Sequence, residues 1–96
     1  MPAYQRSSER YKLEAPVMLE DFYTGFDYKG ILNNYSADGA YLESDYAPRP
    51  GRKAYLKFDG LSDIFTREIY VAEVRWRRPL PEKASCFSYG VGVRFC

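Results

Sequence analysis

The sequence predicts an all-β protein, a small six-stranded antiparallel β-barrel. Short runs with apolar residues at every second position recur along the chain, the period with which side chains alternate across a pleated strand. Clusters of Gly, Pro, Asn and Asp separate these runs at short intervals. No segment carries the periodicity of a long helix, and the last strand candidate ends beside Cys96, so a C-terminal helix is expected to be lacking or minimal. Ninety-six residues suit one domain with one core.

Residues 1–11 are polar, with Gln5, Arg6, Ser7, Ser8, Glu9 and Arg10 in succession. Without apolar periodicity they read as a flexible leader ahead of a barrel domain spanning 12–96. A helical turn there would put Arg6 and Arg10 on one face. Lys12 to Glu20 alternates through Leu13, Ala15, Val17 and Leu19, the pattern of a strand with one buried face. Pro16 has no N–H to give and places that strand at an edge or a bulge. Thr24-Gly25 marks a turn. Tyr28 to Asn33 is a second strand around Ile31 and Leu32, broken by Asn34 to Gly39. Gly39 to Ser44 is a third, stopped by Pro48, Pro50 and Gly51.

Lys53 to Phe58 alternates again, with Ala54, Leu56 and Phe58 on one face, and Asp59 to Asp63 turns the chain. Arg67 to Arg77 is the longest strand. Tyr70, Ala72, Val74 and Trp76 share one of its faces, and Ile69, Val71, Glu73, Arg75 and Arg77 the other. Pro79 and Pro81 stop it. Phe87 to Phe95 closes the chain with Val91, Val93 and Phe95 inward. Gly90 and Gly92 within that strand mark a bulge, a bend or a close approach of the backbone.

Composition excludes several classes of function. Histidine is absent, which removes Ser-His-Asp and Cys-His nucleophiles and every histidine-containing metal site. Cys86 and Cys96 cannot hold a structural zinc unaided and are expected as free thiols rather than a disulfide. No pair of carboxylates stands at a defined spacing, so neither catalysis nor a cofactor is expected. A net charge of +1 disfavours long nucleic acid and leaves a small ligand open. No signal-like run follows Met1 and none reaches transmembrane length, which predicts a soluble, cytoplasmic protein without membrane insertion.

Two polar segments stand apart from this framework. Arg6-Ser7-Ser8-Glu9-Arg10 carries two arginines four residues apart, and Asn34-Tyr35-Ser36-Ala37-Asp38-Gly39 is a polar turn between strands. Taken locally, the second segment suits a plain turn as well as a binding loop. In order, the two fit RxxxR followed by [D/N]xSxxG. Val71 to Trp76 and Tyr89 to Phe95 fit a matching pair of late strands. On these residues the chain resembles a PilZ domain over nearly its whole length. The resemblance implies a six-stranded barrel that acts as a bacterial receptor for cyclic di-GMP, converting ligand binding into a change in an unidentified downstream protein. Control of motility, biofilm or exopolysaccharide would be compatible processes. Family members take one ligand or an intercalated pair, and Gln5 in place of an arginine before RxxxR favours one.

The residues suit that ligand chemically. The planar guanidinium fork of Arg6 and Arg10 matches both the O6/N7 edge of guanine and a phosphate. Asn34 offers an oxygen to guanine N–H donors, where aspartate would accept more strongly. Ser36 can donate to a phosphate or base, and Gly39 lets the backbone turn and the ligand come close. Trp76 reads either as a core residue of its strand or as a wall on which a purine or an arginine stacks. Arg75, Arg77 and Arg78 read as a solvated strand end or as ligand contacts, Asp38 as a solvated turn carboxylate. Tyr41 and Tyr55 fit sheet propensity or a partner surface. The expected device is a clamp with one jaw fixed at Asn34 to Gly39 and one, Arg6 and Arg10, on a mobile arm. Two other readings are an adaptor of the same fold that no longer binds nucleotide, and a barrel that binds single-stranded nucleic acid through its tyrosines.

Overall fold

The structure is a computed structural model that describes residues 9–58, 69–81 and 85–96. Six strands alternate with turns: β1 (Tyr11–Asp21), β2 (Asp27–Tyr35), β3 (Gly39–Ser44), β4 (Lys53–Phe58), β5 (Ile69–Pro79) and β6 (Tyr89–Phe95). All neighbours pair antiparallel in the order β1-β2-β3-β6-β5-β4, and β4 returns to β1 to close the barrel. Among the described residues there is no helix. The expected turn at 59–63 and the expected start of β5 at Arg67 lie outside the described residues. The last strand begins at Tyr89 rather than Phe87.

Alternation decides which side chains fill the barrel. Ala15, Val17 and Leu19 of β1, Leu32 of β2, Ala40 and Leu42 of β3, Ala54, Leu56 and Phe58 of β4, Ala72 and Val74 of β5, and Val91 and Val93 of β6 form one buried cluster. A six-stranded barrel has a narrow interior, and alanine between leucines is what lets opposite walls meet. Ala47, from the β3–β4 connection, joins the same cluster. Pro16 pairs with Ile31 of β2, and the described pairing of β1 with β4 begins one residue later, at Val17.

The ladders are regular except at three places. The register shifts between Lys12 and Ala15 in β1, between Leu32 and Asn34 in β2, and between Val74 and Trp76 in β5. The last two define the site.

Candidate ligand-binding cleft

β2, β3, β6 and β5 are consecutive in the barrel wall, and one row of partners crosses all four: Asn34, Tyr41, Gly92, Trp76. Counting by twos from the buried Leu32 and Val74, both Asn34 and Trp76 should point into the core. They do not, because each bulge adds a residue to its strand and reverses the face of the residues after it. The grouping of Trp76 with Tyr70, Ala72 and Val74 is therefore corrected. Trp76 is 43% exposed and sits on the outer wall of the barrel.

The glycines of β6 make room for aromatic rings on that wall. A Cβ on Gly92 would fall 2.2 Å from the indole Nε1 of Trp76, and one on Gly90 would fall 2.7 Å from the hydroxyl of Tyr41. The Tyr41 and Trp76 rings are near-parallel, 21° apart with centroids 5.5 Å apart. The Arg78 guanidinium lies 5.7 Å from the Trp76 ring centroid and 6.0 Å from that of Tyr41.

Ser36 and Gly39 hold the β2–β3 turn. The buried Ser36 Oγ accepts the backbone N–H groups of Asp38 and Gly39 at 3.2 and 3.3 Å, while the Ser36 N–H donates to the Gly39 carbonyl at 2.8 Å. Both Oγ contacts are acceptances, which leaves the hydroxyl proton to donate. Gly39 closes the turn without a positive φ. Glycine is needed there because a Cβ would lie 2.1 Å from the Val93 carbonyl oxygen of β6.

Arg10 stands at the edge of the barrel. It is the residue before β1, whose pairing opens at Tyr11 with Tyr35, and its Nη1 donates to Asn34 Oδ1 at 2.8 Å. That bond links the two sequence motifs. Arg6 and Gln5 lie outside the described residues. Beside Arg10, the Tyr11 hydroxyl donates to Glu9 at 3.3 Å, and this bond raises the phenol above its ordinary pKa.

These groups surround a cleft of about 330 Å³ lined by Arg10, Ser36, Gly39, Tyr41, Trp76 and Arg94, among others, and Arg75 from the β5 bulge also faces it. Asn34 reaches the cleft through its bond to Arg10. Arg77, by contrast, turns away and donates to the Ala47 carbonyl at 2.5 Å. Arg94 is held loosely by Glu73 at 3.4 Å, mostly exposed. Tyr41 and Arg94 are cleft residues that sequence reasoning does not assign to a ligand. The signal for Tyr41 is the pair of glycines at 90 and 92 in a strand, which demands something bulky opposite. Guanidinium groups beside flat aromatic rings can hold planar bases and phosphates together. Among the described residues no cluster of Cys, Asp or Glu could hold a metal, Cys86 and Cys96 are free and exposed, and no helix is long and apolar enough to cross a membrane.

The closed barrel thus carries a cleft of arginine and aromatic side chains on its outer wall. The chain belongs to the PilZ domain family, which it matches over residues 4–96, a span that takes in Arg6 and all six strands. PilZ domains are a family of cyclic di-GMP receptors. No curated protein matches the chain.

Proposed function

We propose that this chain binds cyclic di-GMP in the cleft of the outer wall and passes the binding event to a protein partner, without catalysing a reaction. Arg10 and Arg6 grip guanine edges or phosphates, Asn34 positions Arg10 and accepts from guanine, Ser36 donates its free proton, and Trp76 stacks against a base. Gly39 keeps the wall flat enough for the ligand to approach. The observation that carries this reading is the Arg10–Asn34 bond, which brings both motifs of the family to one edge of a cleft floored by aromatic rings. With Gln5 before the first arginine, one ligand per chain is the expected stoichiometry. The ligand held by these residues, together with the protein around it, is the surface the partner reads. The cytoplasm, where a nucleotide second messenger is made, is the compartment this reading requires.

Isothermal titration of the full chain with cyclic di-GMP tests it. Arg6→Ala and Arg10→Ala are each expected to weaken binding by roughly 1–3 kcal/mol, the worth of one bidentate arginine contact. Absence of heat and of chemical-shift changes with the wild-type chain at high ligand concentration would overturn the proposal.

A further inference from the structure

The cleft has a second cationic side, which neither sequence motif supplies. Arg10 marks its β1 edge, where it bonds Asn34. Across the Ser36–Gly39 turn, Arg94 of β6 and Arg75 of β5 line the same space. Asp38 is the one carboxylate in that lining among the described residues.

Backbone geometry fixes where both arginines start. Arg94 stands opposite Gly39 of β3 on one side and Glu73 of β5 on the other. A Cβ on Gly39 would lie 3.2 Å from the Arg94 Cα, so the turn rests directly against the strand at that residue. One residue on, the Phe95 N–H donates to the Asp38 carbonyl at 2.7 Å. The main chain at Arg94 is therefore pinned to the turn, and its side chain alone is left to move. Arg75 is the residue that the β5 bulge adds between Val74, which pairs with Val93, and Trp76, which pairs with Gly92. It drops out of the alternation and faces the cleft, exposed and without an ion pair among the described residues.

The partner that Arg94 now has is easily exchanged. Its Nη2 meets Glu73 Oε1 at 3.4 Å, with 59% of the Arg94 side chain and 25% of the Glu73 side chain exposed. A single long contact of this kind, open to solvent, contributes little. A phosphate accepts the guanidinium fork through two shorter, charge-assisted bonds. Lys53 stands directly opposite Glu73 in the β4–β5 ladder, so the carboxylate keeps a cation beside it when Arg94 swings away.

Resting on the reading that the cleft takes cyclic di-GMP, we propose that Arg94 and Arg75 hold the second phosphate of that ligand, and that Glu73 competes with it for Arg94. A cyclic dinucleotide carries two phosphates, and the cleft presents guanidinium groups on two sides of the Ser36–Gly39 turn to meet them. Glu73 then sets the affinity: it holds Arg94 in the empty cleft and gives it up when the ligand enters.

Isothermal titration of the full chain with cyclic di-GMP, at low and at high salt, is the test. Arg94→Gln should weaken binding about tenfold, and Arg75→Gln by a similar factor. Both variants should lose part of the salt sensitivity of the wild type. Glu73→Gln should strengthen binding about threefold, the worth of an exposed ion pair, and should change nothing in an Arg94→Gln background. Asp45→Asn removes the same charge from an exposed position just past the far end of β3, and should leave the affinity unchanged. It separates competition for Arg94 from an effect of net charge. Unchanged circular dichroism in each variant excludes misfolding. If the wild type binds and Arg10→Ala weakens it, while Arg94→Gln and Arg75→Gln do not, this inference alone is overturned. A Glu73→Gln variant that binds no better than the wild type, or whose gain persists without Arg94, overturns the competition. A wild type that binds no cyclic di-GMP overturns the reading of the cleft and this inference together.

Discussion

Replacing Gly92 by alanine is the most direct probe of the site. The new Cβ would sit 2.2 Å from Trp76 Nε1 and 2.3 Å from Cε2, far inside contact distance. The indole must lift off the wall. With 43% of the residue exposed, more than half of it is covered now, about 140 Å² of a side chain that buries up to about 250 Å² when fully enclosed. At about 25 cal/mol per Å² the coverage is worth at most about 3.5 kcal/mol. Lifting the ring forfeits part of that, about 1–2 kcal/mol. Alanine in place of glycine within a strand offsets about 0.5–1 kcal/mol. The expected result is a net destabilisation of about 1 kcal/mol with a red-shifted emission from the single tryptophan. Urea denaturation measures the first and fluorescence the second. In a Trp76→Ala background the sign should reverse, and Gly92→Ala should stabilise by about 0.5–1 kcal/mol. If Gly92→Ala costs the same with and without the indole, the glycine is not there to seat the ring, and the account of the cleft floor fails.

Three further outcomes can be checked on the same purified chain. Gly39→Ala should destabilise by at least about 2 kcal/mol in urea, because the clash at 2.1 Å is with a backbone carbonyl of β6 that cannot swing aside. Asp21→Ala should cost about 1–3 kcal/mol, since it strips the buried acceptor from the Tyr23 and Thr24 amides. Lys57 has its pKa raised from 10.5 chiefly by the hydrogen bond to Glu20, so its contribution is present below that pH and lost as pH rises through the raised value. Denaturation of wild type and Lys57→Met should therefore converge at strongly alkaline pH, and a gap that widens there would refute the assignment.

Much of this protein is legible along the chain because strand alternation is a local property. Ala15-Val17-Leu19, Ala54-Leu56-Phe58 and Val91-Val93 mark their buried faces without reference to any partner, and Pro48, Pro50 and Gly51 mark where a strand must stop. Residue types also name the chemistry: arginine forks, a serine-glycine turn, and no histidine. What the sequence could not settle is which way Asn34 and Trp76 point. Each lies an even number of residues from a core position, and alternation alone sends both inward. The bulges that turn them outward exist because β2 must pair with β3, and β5 with β6, in registers set by residues far away in the chain. Pairing across the barrel likewise decided that Tyr41 belongs beside Trp76, and that Arg10 meets Asn34. The strands were written residue by residue, while the cleft arose only when six of them closed on one another.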